Sequence, residues 1–182
     1  MDHTWTEEEL STFEAYWPIG TRERLAYAVL LYTGQRGSDA VDIMRSSVKS
    51  GAINLTQRRT GAEIRITIHP ELDRIIKVTP ANDVYLLGDA AGRKLTRDGI
   101  TRLIRRAVKD AGLPRRCVAH GLRKAILRRL AERGGTSKEL QAVSGHRSLA
   151  EVERYTEMAE QARLNRQAMA KLREEQKDDT DC

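Results

Sequence analysis

A stretch of two-residue alternation lies inside a chain whose apolar residues otherwise recur every three or four positions, and it limits the choice of fold more than any other feature. Ile53-Asn54-Leu55-Thr56 and Ile64-Arg65-Ile66-Thr67-Ile68 each alternate apolar and polar side chains, with the turn-like Gln57-Arg58-Arg59-Thr60-Gly61 between them. That pattern predicts a β-hairpin with two arginines at its tip. The rest reads as helix. Thr6 with Glu9 forms a capping box ahead of Leu10, Phe13 and Trp17 on one face, and Pro18 and Gly20 end the segment. A second helix spans 22–33 and stops at Gly34, and Gly37-Ser38-Asp39 opens a short one toward Met44. Pro70 suits the first turn of a helix to Lys77. Thr96 caps another, with Ile100, Leu103, Ile104, Ala107, Val108 and Ala111 in one stripe and Arg97, Arg102, Arg105, Arg106 and Lys109 opposite. Helices follow at 121–133 and 137–144, the latter closed by Gly145. A Ser148–Glu151 capping box opens one containing Tyr155, and 160–175 is amphipathic with Leu164, Ala168 and Leu172 four apart. A short strand is expected at 84–87. The fold class is mainly α with a small antiparallel β-sheet (α+β). Residues 1–175 are expected to form one domain and 176–182 a disordered acidic tail.

Composition narrows the function. A chain of 182 residues is about one domain, long enough to bury a core without a disulfide or metal staple. Its two cysteines, Cys117 and Cys182, exclude a disulfide framework and a Cys-rich zinc fold. The longest apolar run, 28–32, is far too short for a membrane span, and the acidic N-terminal segment does not read as a signal peptide. The expectation is a cytoplasmic protein with no membrane partner. The net charge of +6 conceals a strong asymmetry: residues 1–20 and 174–182 are acidic, so 21–173 carry +15. Arg outnumbers Lys three to one, which suits bidentate phosphate contacts. A basic middle points to nucleic acid; the competing reading is the Arg-rich usage of a GC-rich genome.

Several enzyme classes drop out. Gly134-Gly135-Thr136-Ser137-Lys138 lacks the order of a phosphate-binding P-loop, no Gly-x-Ser-x-Gly elbow is present, and the four histidines show no paired ligand spacing. No metal or cofactor is expected. What remains is Thr33-Gly34-Gln35-Arg36-Gly37-Ser38-Asp39 upstream, then His120-Gly121-Leu122-Arg123, Gly145-His146 and Tyr155. Each piece alone is commonplace. In this order, with the hairpin between Arg36 and His120 and Tyr155 nine residues after His146, they resemble the catalytic domain of the tyrosine recombinase (phage integrase) family. The likeness runs from about Thr4 to Leu172 and is strongest toward bacterial prophage and mobile-element integrases.

The resemblance implies site-specific breakage and rejoining of double-stranded DNA at attachment sites, without metal or ATP. Tyr155 would attack the scissile phosphate and form a 3′-phosphotyrosine. Arg36 and Arg123 would clamp the non-bridging oxygens, and His146 would add a third donor. His120 would manage the tyrosine proton, as general base or as hydrogen-bond partner. Asp39, one turn from Arg36, would orient that guanidinium, or would serve as an N-terminal helix acid. Arg58, Arg97, Arg102, Lys124 and Arg147 are expected to touch nucleic acid.

Two departures qualify the resemblance. The family's hairpin carries a Lys in a Gln-x-Lys-Thr-Gly context that protonates the leaving 5′-oxygen, and Arg59 holds that position here. A guanidinium with a pKa above about 12 is a poor proton donor, so Arg59 would act electrostatically and cleavage would be slow. The family's N-terminal core-binding domain has no counterpart in this sequence, which reads as a fragment or a natural truncation. A monomer in solution and higher order on DNA are expected, with accessory DNA-bending proteins as possible partners. Two other readings stay open: a basic DNA-binding module that no longer cuts, and topoisomerase IB-like strand passage.

Overall fold

In the computed structural model, which describes residues 3–80, 84–89, 91 and 93–178 (173–178 as helical backbone alone), the organising element is α2 (Arg22–Thr33). Residues 25–31 of this helix are all buried, so it is apolar around its whole circumference and runs through the core. Thr21 caps its start by accepting the Arg24 N–H, and Gly34, at φ +62°, closes its end. Around it pack α4 (Pro70–Val78), α5 (Arg97–Asp110) and α6 (Ala119–Glu132). The amphipathic stripe expected on α5 is the buried one: Ile100, Leu103, Ile104, Ala107 and Val108 face the core. Helix α1 (Glu7–Tyr16), with the Thr6–Glu9 capping box in place, closes the core with Phe13 stacked on Tyr27 and edge-on to Trp5.

The hairpin forms as expected between β2 (Ala52–Thr56) and β3 (Glu63–Thr67), in antiparallel register with Ile53 opposite Ile66 and Leu55 opposite Ile64. A two-residue strand β1 (Val48–Lys49) adds a third, antiparallel strand beside β2, giving sheet order β1-β2-β3. The strand expected at 84–87 is not formed. Tyr85 makes one isolated bridge to Met44, and no ladder follows. The short helix expected to reach Met44 is the four-residue α3 (Gly37–Ala40).

Helix α7 (Ser137–Ser144) ends at Gly145, φ +66°, and α8 (Ala150–Asp178) is one continuous helix. It begins one residue later than a Ser148 cap requires: Leu149, not Ser148, sits at the cap and accepts the Val152 and Glu153 N–H groups. Val152, Tyr155 and Ala159 of α8 pack on Leu127, Ala131 and Leu140, and beyond that contact Leu164 and Leu172 are about half exposed. The expected disordered tail begins at 176, but helical backbone continues to Asp178; 179–182 lie outside the described residues. No helix among the described residues is long and apolar enough to cross a membrane.

Candidate active site

Among the described residues Arg123 is the most deeply buried cation, 2% exposed, and its surroundings hold its guanidinium. It faces inward from the second turn of α6, toward the ends of α2 and α7. Nη1 donates to Gly34 O at 2.6 Å and Ser144 O at 2.8 Å, and Nη2 approaches His146 Nε2 at 2.9 Å and Nδ1 at 3.2 Å. Both carbonyls belong to helix ends closed by a left-handed glycine, which turns orphan C=O groups toward a donor. Gly145 is required for a second reason. A Cβ there would lie 2.1 Å from Ile64 Cδ1 and 2.5 Å from Gln57 Nε2. Burial and the charge of Arg36 push Arg123 down to about 10, so it stays cationic at neutral pH. Burial, then the charges of Arg123, Arg36 and His120, hold His146 at about 4, so it is neutral there.

Arg36 caps α3, and its Nη1 is buried without a hydrogen-bond partner. It lines an open cavity of about 540 Å³ together with Arg59, His120, Arg97 and Thr101. Arg59 reaches this cavity because the hairpin is tied down by Gln57, which is fully buried. Gln57 Nε2 donates to Gln35 Oε1 at 2.6 Å and Ser144 O at 2.9 Å, and its Oε1 accepts from Thr60 at 2.8 Å. Gln35 Nε2 in turn donates to Thr33 O and Val143 O. Ser144 O therefore receives both Arg123 and the hairpin. Gln35, Gln57 and Ser144 are positioning residues that the sequence pattern does not expose.

Tyr155 is half-buried on α8, its ring against the Leu127–Leu140–Val152 cluster. Its hydroxyl accepts a long 3.4 Å contact from Arg154 Nη2. It lines a second cavity, about 760 Å³, with Lys124, Arg128, Arg154 and Arg166, which shares no lining residue with the cavity of Arg36, Arg59 and His120. Its link to the arginine site is electrostatic: a tyrosinate here would raise the pKa of Arg123.

Residues 5–162 match the model of the phage integrase family. The chain belongs to that family. It is 29% identical over 160 residues to tyrosine recombinase XerC of Rhodospirillum centenum, covering 84% of this chain and 47% of that protein. To tyrosine recombinase XerD of Xanthomonas campestris pv. campestris it is 29% identical over 165 residues, covering 79% and 50%. The chain thus spans about half the length of the curated relatives it matches. Among solved structures, XerA recombinase superposes with TM-score 0.77 at 22% identity, over 92% of this chain and 66% of that one. The lambda integrase catalytic core superposes with TM-score 0.63 at 22% identity, over 81% and 94%. The mainly helical architecture with a small antiparallel sheet is therefore the fold of this family's catalytic domains.

Within this phage integrase fold, two of the expected residues have partners inside the protein. Asp39 stands in the first turn of α3, where an N-terminal helix acid would be. At the third position of a four-residue helix its carboxylate turns to the hairpin, where Oδ1 accepts the Arg58 backbone N–H at 3.0 Å, and Oδ2 is buried without a partner. Arg58 is exposed at the hairpin tip and paired there with an acid. Its Nη2 donates to Asp42 Oδ1 at 2.8 Å, its Nε also contacts Asp42, and Lys94 pairs with the same carboxylate. Arg97, Arg102 and Arg147 are exposed, Arg97 in the smaller cavity, while Lys124 is half-buried beside Tyr155. His3, Glu9 and Cys117 bring three potential metal-ligand atoms within 4.8 Å of one another. Glu9 already accepts from His3 at 2.6 Å, Thr6 N–H at 2.9 Å and Arg116 at 3.1 Å. These bonds satisfy the carboxylate as a structural acceptor without an ion.

Proposed function

We propose that this chain is the catalytic domain of a site-specific DNA recombinase that breaks and rejoins double-stranded DNA through a 3′-phosphotyrosine. The observation that carries this reading is a pair of guanidiniums with no counter-ion. The charge of Arg36 lowers the pKa of Arg123, yet among the described residues neither lies within ion-pair distance of a carboxylate. Arg36 Nη1 is buried with its hydrogens unused. Arg123 has five N–H donors, of which Nη1 uses two and Nη2 one, leaving an Nη2 hydrogen and Nε–H. Two cations without a direct ion pair and with fixed, spare donors form a receptor for an oxyanion whose charge grows in the transition state.

In this reading the Tyr155 oxygen attacks phosphorus, the P–O bond to the 5′-oxygen breaks, and the new phosphotyrosine keeps the energy of the diester. Rejoining to another 5′-hydroxyl then needs no ATP, and the arginines supply the charge that a metal would otherwise supply. His120, exposed at the mouth of the cavity, takes or shares the tyrosine proton. Arg59 offsets charge on the leaving oxygen. Tyr155 lies in the neighbouring cavity, so α8 must carry it across when DNA fills the arginine site. The exposed Leu164 and Leu172 are suited to a neighbouring protomer in an assembly on DNA. Solved structures of this fold include a lambda integrase tetramer bound to a Holliday junction. The position of Tyr155 also favours a second reading, a DNA-binding module that does not cut. Nicked suicide duplexes distinguish the two: the recombinase gives an SDS-resistant protein–DNA adduct that Tyr155→Phe abolishes, and the non-cutting module binds without one.

A further inference from the structure

We propose that Ser144 fixes His146 in the Nδ1–H tautomer, so that the site captures a phosphate together with one proton on His146 Nε2. The inference rests on the phosphate site above. It begins with a hydroxyl that has one hydrogen and two neighbours. Ser144 is fully buried at the end of α7. Its Oγ lies 2.7 Å from Leu140 O, a group that only accepts, so the hydroxyl hydrogen is used there. Its other neighbour is His146 Nδ1 at 2.6 Å, and that contact is a hydrogen bond only if the ring donates.

A neutral imidazole has one N–H, and here it is on Nδ1. Arg123 Nη2 lies 2.9 Å from Nε2 and 3.2 Å from Nδ1, against both ring nitrogens, so it does not choose between the tautomers. The Ser144 hydroxyl alone assigns the tautomer from the hydrogen-bond network, and leaves Nε2 with its lone pair. Ser144 acts on both residues: its carbonyl holds Arg123 and its hydroxyl holds the ring.

The consequence concerns the empty and the filled site. In the empty site His146 is an acceptor that helps aim Arg123, not the donor that phosphate recognition needs. When a phosphate oxygen takes up the Arg123 Nη2 hydrogen, Nε2 loses its partner and its lone pair faces an anion. Adding a proton to Nε2 turns that repulsion into a charge-assisted hydrogen bond. The groups around the ring set the direction of the change. Arg123 and His120 on α6, Arg36 before α3 and Arg154 on α8 all oppose the added charge while the site is empty. Asp39, Glu151 and Tyr155 act on Arg123 in the opposite sense. A bound anion offsets this positive potential and favours the protonated ring.

Two measurements test this. The first needs no DNA: nitrogen-15 NMR of the histidine rings of the intact chain at neutral pH, with His146 assigned through His146→Gln. The Nδ1–H pattern is expected, with loss of that pattern in Ser144→Ala. An Nε2–H pattern in the unchanged protein overturns the tautomer assignment, and so does an unaltered spectrum in Ser144→Ala. The second is calorimetry of a nicked duplex binding to the Tyr155→Phe protein in buffers of different ionisation enthalpy, over a series of pH values. Uptake of one proton is expected, with affinity falling about tenfold per pH unit above the empty-site pKa of His146 until the filled-site pKa is passed. In Ser144→Ala the ring is free to present Nε2–H without taking up a proton, so uptake and pH slope should both decline. Equal uptake in the unchanged protein, Ser144→Ala and His146→Gln overturns the proton step while leaving the phosphate site standing. Failure to bind DNA at all overturns the phosphate site, and the proton step with it, but leaves the NMR assignment intact.

Discussion

At the scale of single residues, the site is held by atoms with no spare capacity, and substitutions should separate according to what they touch. Gly145→Ala places a Cβ in a left-handed conformation and against Ile64 and Gln57, whereas Gly112→Ala, at φ +69°, meets nothing within 4 Å. The first should cost about 2–4 kcal/mol and the second about 1 kcal/mol in urea unfolding, because only the first adds overpacking to backbone strain. Arg59→Lys keeps the charge at the hairpin tip and adds a group able to release a proton. Single-turnover cleavage should accelerate by about tenfold or more; no gain would assign the leaving-group proton to another residue. The candidate residues Arg36, His120, Arg123, His146 and Tyr155 were legible as a motif in the sequence because they keep their order and spacing. Their partners were not. Gln35 meets Gln57, and Arg123 meets Gly34, across 22 and 89 residues, and no local pattern carries such contacts. Asp39 shows the same limit: spacing puts it in the first turn of α3, and only the fold brings the Arg58 N–H to its carboxylate.

At the scale of elements, the hairpin is a docked part rather than a free arm. Gln57 joins it to Gln35 and to the end of α7, and Asp39 joins it to α3. Gln57→Ala leaves Ser144 O and Gln35 Oε1 each short of a buried donor, at a cost of about 1–3 kcal/mol. Hydrogen exchange should then speed up in residues 57–62 while α2 and α6 keep their protection, and cleavage should fall by more than global stability does. Uniform loss of protection would make Gln57 a general core residue. The elements that could be read from sequence were those with their own end signals, such as Thr6 with Glu9, Thr21 with Gly34, and Thr96. Strand β1 has two residues and no period to read, and it exists because β2 offers an edge. Residues 84–87 show the converse, a strand-like composition that finds only one bridging partner.

At the scale of the whole molecule, the half-buried His146 and the buried Glu9 have large shifts that shape the acid response. His146 titrates near 4 in the fold against 6.5 ordinarily, so below 6.5 the unfolded chain binds the extra proton and stability falls as pH drops toward 4. The slope approaches about 1.4 kcal/mol per pH unit. Glu9 follows. Burial alone would raise its pKa, but hydrogen bonds from His3, the Thr6 N–H and Cys117 outweigh it and hold the carboxyl at about 2. Its stabilisation is present above the ordinary 4.5 and is lost as pH falls through 2. Denaturation midpoints measured against pH should therefore decline in two phases, and His146→Gln should remove the upper one. The central claim is that the paired arginines receive a phosphate that Tyr155 attacks. It is tested most directly by trapping the protein on a nicked duplex and mapping the attached residue by peptide mass spectrometry. The account predicts a nucleotide 3′-phosphate on Tyr155, absent in Tyr155→Phe and strongly reduced in Arg36→Ala. A bound duplex with no covalent product, or an adduct on any other residue, would contradict it.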